Sequence, residues 1–386
     1  MLCRWPFRHL SIDQNGNFRP CCSWRHEEFV PEYPDVPLVN FDDTSIQDYL
    51  QSSFLTTIQK SMKENKWPKG GCSDCFNELK TSRSPDALIN YGNEKYKPGD
   101  KFELHDVEIK FGNKCNLGCV MCGPSCSSLL EAESDKHYDT IIKNGFEAKK
   151  MKPAKNIPWY ERDDKIEEIA QFASKAKLIR FTGGEPTVNG YLRKFLSVLK
   201  NYNTDIIIKM TTNGFKISQQ LLDILPTFKT AWFDFSIDGV GKVNEFVRWP
   251  SKWESINENI IKASQLPNSW ITVKTTMHAM NVSNVPKICD WAQQNDYIQQ
   301  WDLNIVWEPK HLRPCLVSDE AKQIFVDGID KHTGADAKCK SVKTGIDVLS
   351  TNWSKTDYNM YQTKLHKYLN MLSTIRNLDW KEYVKV

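Results

Sequence analysis

The 386-residue chain has no apolar run near the ~18–20 residues that span a bilayer, so no transmembrane helix is expected. Its start, Met1-Leu2-Cys3-Arg4-Trp5-Pro6, lacks the apolar stretch of a secretory signal. An excess of one charge is missing too. The 51 Lys plus Arg and 48 Asp plus Glu leave +3, too little to favour nucleic acid or an anionic membrane. Internal repeats and low-complexity tracts are absent, which sets aside solenoids and disordered arrays. Together these features point to a cytoplasmic protein whose thiols stay reduced. At roughly 100–200 residues per domain, the length suits two or three domains with a substantial core.

What the chain does hold is twelve cysteines. In a reducing compartment, clustered cysteines bind metal or carry redox chemistry. Cys3, Cys21, Cys22, Cys72 and Cys75 lie in the first fifth, and Cys115, Cys119, Cys122 and Cys126 form a second group. Two groups suggest two sites. Cys289, Cys315 and Cys339 have no ligand-like spacing and read as core or idle thiols. No histidine is assigned to a metal.

Residues 1–100 are irregular and rich in Pro and aromatics, with a boundary expected at Lys97-Pro98-Gly99-Asp100. Phe7–Ile12 and Gly16–Arg19 read as a hairpin turning through Asp13–Gly16. Ser45–Asn65 shows helical spacing at Ile46, Tyr49, Leu50, Leu55, Ile58 and Met62, capped by Thr44 or Ser45. From 101 to 310 the pattern changes. β-rich runs recur at Asp106–Phe111, Lys177–Thr182, Asp205–Thr211, Thr230–Ile237, Trp270–Met277 and Gln300–Trp307, with helical stretches between most of them. This alternation predicts an α/β fold of βαβ units, a partial (βα)6 barrel, with an open doubly wound sheet as the alternative. Either architecture keeps its chemistry beyond the carboxyl ends of the strands. Glu131–Asp164 is longer than an ordinary crossover and mixes charge signs; it reads as a solvated insertion or a substrate-side lid. Residues 311–386 form a helical extension. From Thr356, Tyr358, Tyr361, Leu365, Tyr368, Leu369 and Leu372 line one side of a helix.

The first strand of the barrel runs into Phe111-Gly112-Asn113-Lys114-Cys115-Asn116-Leu117-Gly118-Cys119-Val120-Met121-Cys122. Three thiols at C-x₃-C-x₂-C suit an iron–sulfur cluster with one iron left free of protein. A structural zinc site wants a fourth ligand, for which Cys126 is available. The following strands end in Thr182-Gly183-Gly184-Glu185-Pro186, then Thr211-Thr212-Asn213-Gly214, then Ser236-Ile237-Asp238-Gly239. Taken singly, a Gly-Gly pair or a Thr-Asn-Gly is more often a turn, and each segment alone is a weak signal. Four in order on successive strands resemble the radical S-adenosylmethionine (SAM) superfamily, over about Val107 to Trp307.

The resemblance implies that Cys115, Cys119 and Cys122 ligate a [4Fe–4S] cluster whose fourth iron takes SAM's amino and carboxylate groups. It also implies reductive cleavage of SAM to a 5′-deoxyadenosyl radical that abstracts hydrogen from a substrate. Gly183 and Gly184 then let the backbone approach the ligand, and Glu185 accepts from SAM's ammonium. Pro186 fixes the chain direction. Thr212, Asn213, Ser236 and Asp238 suit the ribose hydroxyls and the methionine end. Arg248, in Phe246-Val247-Arg248-Trp249, resembles an arginine that some members turn toward SAM's carboxylate; a surface ion pair is the alternative.

A second resemblance lies upstream. Cys3, Gly16 and Cys21 at C-x₁₂-G-x₄-C, then Cys72-x₂-Cys75, match part of the SPASM pattern and its shortened twitch form, which hold an auxiliary cluster beside the substrate. The module usually follows the barrel, whereas here it precedes it. The full pattern also continues with more cysteines, whereas position 81 is Thr81. The resemblance thus implies one auxiliary [4Fe–4S] cluster on Cys3, Cys21, Cys72 and Cys75. Cys22 competes with Cys21, and a zinc ribbon is the alternative.

The expected activity is radical modification of a peptide or protein, with a small molecule or nucleotide as the alternative substrate. An electron donor such as flavodoxin or ferredoxin is implied. The near-neutral charge argues against a polynucleotide. The rival class is an iron–sulfur electron-transfer or scaffold protein, which needs no SAM cradle.

Overall fold

Alternate residues of the central strands are apolar, and this splits their sheet into two chemically different faces. The computed structural model describes residues 3, 5–22, 24, 39–64, 66, 68, 71–72, 102–148, 158–332, 342–351 and 353–386. Its strands are β1 (His9–Ile12), β2 (Phe18–Arg19), β3 (Asp106–Lys110), β4 (Leu178–Thr182), β5 (Ile207–Thr212), β6 (Thr230–Ser236), β7 (Ser269–Met277) and β8 (Gln300–Ile305). They form one sheet in the order β2-β1-β3-β4-β5-β6-β7-β8. Neighbours from β3 to β8 are all parallel. A doubly wound sheet reverses its strand order at a switch point. From β3 to β8 the order never reverses, and the two-residue β2 adds only an antiparallel edge beside β1, so the core of the fold is the partial (βα)6 barrel.

Ile109, Phe181, Met210, Phe233, Phe235 and Val273 have no exposed surface. They pack with Ile169, Phe195, Leu196 and Ile260 from helices Asp163–Ala173, Gly190–Leu199 and Trp253–Ser264 in one core. Each such burial is worth about 1.5–3 kcal/mol. The residues between them in sequence are polar and occupy the opposite face.

The upstream segment is built into the same sheet. Trp5–Arg8 forms a helical turn, so the first strand of the hairpin starts at His9 rather than Phe7. β1 then pairs in parallel with β3, Ile12 opposite Ile109, and antiparallel with β2. The helix expected over Ser45–Asn65 is two, Ile46–Gln51 and Ser53–Lys63. Ser52 divides them: its backbone is extended, and its hydroxyl caps the second helix by accepting from Leu55 N–H. The proposed boundary at Lys97–Asp100 lies outside the described residues.

Glu131–Asp164 opens in helices, Ser128–Lys136 and Tyr138–Lys143. Toward its end Trp159 is buried 5.2 Å from Phe41 and 5.5 Å from Phe111, ring to ring. The last helix, Lys355–Arg376, buries Leu365, Leu369 and Leu372 as its stripe predicts, and Ser354 caps it. Among the described residues, no helix is long and apolar enough to cross a membrane.

Candidate functional site

The loop after β3 carries Cys115, Cys119 and Cys122 and is pinned at several points. Cys115 N–H donates to Ser128 Oγ (3.1 Å), Ser127 Oγ donates to the Leu117 carbonyl (2.7 Å), and Cys122 N–H donates to the Cys119 carbonyl (3.1 Å). Cys119 and Cys122 share a hydrogen bond that lowers the Cys119 thiol and raises Cys122 well above its ordinary value. Burial pushes Cys115 up to about 11. Among the described residues, no three His, Cys, Asp or Glu side chains converge as a single-ion site. A multi-iron cluster does not ask for that, because each thiolate binds a different iron.

Three networks hold this loop. The first comes from β4 and β5. Gly184 N–H and Glu185 N–H donate to the Gly112 and Lys114 carbonyls, at 3.3 and 2.7 Å. A Cβ on Gly184 would lie 2.3 Å from the Lys114 carbonyl oxygen, so only glycine permits this approach. The Gly-Gly pair therefore packs on the cysteine loop itself. The Glu185 carboxylate is buried, and its oxygens accept from Thr187 N–H (3.1 Å), Thr187 Oγ1 (2.7 Å), Thr212 Oγ1 (2.7 Å) and Asn213 N–H (2.6 Å). Asn213 Nδ2 then donates to Asn116 Oδ1 (2.9 Å), inside the loop. Glu185, Thr212 and Asn213 are thus brought together, and burial raises the Glu185 carboxyl despite these donors.

The second network comes from β6. Asp238 accepts from Thr276 N–H (2.6 Å) and pairs with Arg248 Nη2 (2.7 Å), while Arg248 Nη1 donates to Cys119 Sγ (3.7 Å). Arg248 is buried, so the surface ion pair is set aside. Ser236 stands apart on the polar face, level with Lys274.

The third network comes from the last helix. Tyr368 Oη donates to the Val120 carbonyl (2.9 Å). Arg376 makes two 2.9 Å bonds to Glu133 and lies 4.9 Å from the Trp249 ring centre.

Several buried atoms on these elements make no hydrogen bond in the chain: Asn116 Nδ2, Arg248 Nε, Ser251 Oγ and His278 Nε2. Asp238 Oδ2 makes none either, but the Arg248 guanidinium meets it as an ion pair, which sets it apart from the four. His278 Nδ1 accepts from Met280 N–H (3.2 Å), which leaves the ring proton on Nε2. Burial and then Arg248 push His278 down to about 3, so it stays neutral. Apart from the serine hydroxyl, these four atoms can only donate. Such a set suits an acceptor-rich group, as cluster sulfides and an amino-acid carboxylate are.

The polar face of the sheet carries paired charges that no sequence motif marks. Glu108–Lys110 and Asp106–Arg180 each approach to 3.8 Å, Lys209–Asp234 to 3.0 Å, and Lys274 pairs with Asp302. His9 Nδ1 lies 2.5 Å from Asp106, and Thr182 donates to Glu108 at 2.6 Å. Burial alone would raise Asp106, but His9, His105 and Arg180 hold it well below the usual carboxylate range. The signal was present in Asp106-Val107-Glu108-Ile109-Lys110, where charge alternates with apolar residues.

Of the upstream thiols, Cys3 and Cys72 are buried, Cys21 is half-buried and Cys22 is exposed. Trp24 is buried beside them in sequence, and a Cβ on Gly71 would lie 2.4 Å from its ring. Cys75 and Cys339 lie outside the described residues.

A family model described as the Radical SAM superfamily matches residues 109–292, and one described as an iron-sulfur cluster-binding domain (SPASM) matches residues 3–76. Molybdenum cofactor biosynthesis protein 1 of Dictyostelium discoideum is 26% identical over 212 residues, covering 53% of this chain and 29% of that protein. A GTP 3',8-cyclase of Helicobacter pylori is 21% identical over 197 residues, covering 50% and 53%. The GTP 3',8-cyclase of Campylobacter lari is 44% identical over 125 residues, covering 31% and 30%. The chain thus spans between 29% and 53% of the length of these relatives. Among solved structures, Streptococcus suis SuiB bound to S-adenosylmethionine has a TM-score of 0.41 at 14% identity, covering 83% of this chain and 73% of that one. Escherichia coli coproporphyrinogen III oxidase has a TM-score of 0.34 at 14% identity, covering 70% and 52%.

Proposed function

The chain belongs to the radical SAM superfamily, with a [4Fe–4S] cluster and SAM as cofactors and an iron–sulfur module at its N-terminal side, and from this premise we propose its site and substrate class. Cys115, Cys119 and Cys122 ligate the SAM cluster. The observation that supports this most is the set of buried donors without partners around the three-thiol loop, which a cluster with a bound amino acid satisfies. Bound there, the cofactors supply reductive cleavage of SAM and a 5′-deoxyadenosyl radical that abstracts hydrogen from substrate. The chain's own work is to hold the loop, to offer donors at Asn116, Ser251 and His278, and to keep water from the buried side.

The substrate is a peptide or a similar neutral polar molecule. Lys110, Arg180, Lys209 and Lys274 each already face a carboxylate across the polar face. A polyphosphate would need unmatched cations, whereas balanced charges suit alternating donors and acceptors such as peptide groups. Cys3, Cys21 and Cys72, with Cys75, hold the auxiliary cluster. The reductant is a flavodoxin- or ferredoxin-type donor in the cytoplasm. A nucleotide substrate is the second reading, favoured by the stretch 44% identical to a GTP 3',8-cyclase.

The test is anaerobic reconstitution followed by chemical reduction with SAM. Wild type should form 5′-deoxyadenosine, and the Cys115→Ala/Cys119→Ala/Cys122→Ala variant should form none. Cluster binding with SAM left intact would instead support a scaffold. Saturable binding of GTP that speeds SAM cleavage would replace the peptide reading with the nucleotide one.

A further inference from the structure

Arg248 sits opposite Cys119 by backbone register. Gly118 N–H donates to the Trp249 carbonyl (2.6 Å) and Val120 N–H to the Val247 carbonyl (2.9 Å). The residues on either side of Cys119 are therefore bonded to the residues on either side of Arg248. Between these two bonds the Nη1–Sγ distance is 3.7 Å.

The guanidinium is oriented from behind. Its Nη2 lies 2.7 Å from the Asp238 carboxylate, which has no exposed surface. Asp238 is itself fixed at three points: its carboxylate accepts from Thr276 N–H (2.6 Å), its N–H donates to Asn244 Oδ1 (3.0 Å), and its carbonyl accepts from Asn281 Nδ2 (2.9 Å). Arg248 N–H donates to the Asn244 carbonyl (2.9 Å), so Asn244 holds both ends of the ion pair. An arginine gripped in this way has little freedom to swing toward a ligand.

We propose that Asp238 and Arg248 form a relay behind the SAM cluster, in which Arg248 donates to the Cys119 sulfur and raises the cluster's reduction potential. Arg248 is on this view a positioning residue that acts through a ligand, rather than the partner of SAM's carboxylate that its sequence context implies. The inference rests on Cys119 being a cluster ligand. Reduction adds negative charge to the cluster and its sulfurs, and an N–H directed at a ligating sulfur stabilises that charge. Asp238 offsets most of the guanidinium's long-range field, so the directed hydrogen bond carries the effect. The two residues then act with opposite sign. Removing the Arg248 donor disfavours the reduced cluster, and removing the Asp238 charge favours it.

The experiment is a mediated redox titration of reconstituted protein without SAM, followed by electron paramagnetic resonance. The barrel cluster is identified as the signal that changes when SAM is added afterwards. Arg248→Gln should lower the reduced-to-oxidised ratio at a fixed potential by roughly tenfold, about 59 mV for a one-electron couple. Asp238→Asn should move the ratio the other way. Arg248→Lys keeps a charge beside Asp238 and should still load iron if the Gln variant does not, with a smaller downward shift. Iron content and melting temperature of each variant report folding separately. Equal potentials in wild type and Arg248→Lys, or shifts of the same sign in the Arg248 and Asp238 variants, overturn the proposal. An unchanged potential with weakened SAM binding overturns it in favour of a carboxylate-binding arginine. Absence of a SAM-responsive signal in the wild type would instead remove the reading on which the inference rests.

Discussion

The four donors on the Glu185 carboxylate define what that position tolerates. Oε1 accepts from Thr187 N–H, Thr187 Oγ1 and Thr212 Oγ1, and Oε2 from Asn213 N–H. Glutamine has the same shape but sets an NH₂ group against one of these donors. Glu185→Gln should therefore destabilise the metal-free protein by about 1.5–3 kcal/mol, the scale of a hydrogen bond to a charged group. Urea denaturation checks this; an unchanged midpoint would mean the network contributes nothing. That Gly183, Gly184 and Glu185 stand at a strand end near the cysteine loop was legible in sequence, but their direction was not. A motif gives residue types at strand ends, while which neighbour fills the Cβ direction of Gly184 depends on the loop after a different strand.

At the level of elements, the last helix reaches across the molecule to the cysteine loop. The Arg376 side chain is 1% exposed and Glu133 is 12% exposed. Removing one partner of such a buried pair leaves the other charge uncompensated, at a cost of about 3–5 kcal/mol. Arg376→Gln should show that loss in denaturation. It should also speed amide hydrogen exchange around residues 117–122, because Trp249 and Gly118 lose the guanidinium beside them. Exchange unchanged in that segment would mean the helix docks without holding the loop. Periodicity made the helix and its apolar stripe legible, since both are local. The contacts of Arg376 and Tyr368 were not, because they join residues more than two hundred positions apart. The same limit explains Ser52: the spacing of apolar residues continues through it, and the break comes from a backbone turn that periodicity does not record. The βαβ alternation of β3 to β8 was legible, and it left two strand orders open because alternating strands and helices allow few connections. The pairing of β1 with β3 was not legible, since it joins segments about a hundred residues apart.

At the scale of the whole molecule, the upstream module and the barrel share one sheet, so their fates are linked. β1 pairs with β3 over four residues from His9 to Ile12. Barrel side chains also hold the module: Arg162 donates to the Asp42 carbonyl (2.9 Å), Lys165 to the Thr44 carbonyl (3.0 Å), and Glu168 accepts from Ile46 N–H (2.7 Å). If the upstream cysteines hold a [4Fe–4S] cluster, reconstituted wild type should carry about eight irons per chain. The Cys115/Cys119/Cys122 triple variant should keep about four, with a cluster spectrum that does not respond to SAM. Cys72→Ala/Cys75→Ala should also keep about four, and these should respond to SAM, because the barrel loop is held by β4, β6 and the last helix rather than by the module. The same variant should melt at lower temperature. Joining Cys72 to Cys21 closes a long loop, and losing the cluster leaves that entropy cost without its offset. The melting of its barrel should fall as well, since β1 covers the edge of β3. Iron analysis, absorption spectra and calorimetry on the three proteins decide the matter. One equivalent of zinc in place of the four residual irons would make the module a structural zinc site. Two separate melting transitions would show that the shared sheet does not couple the module to the barrel.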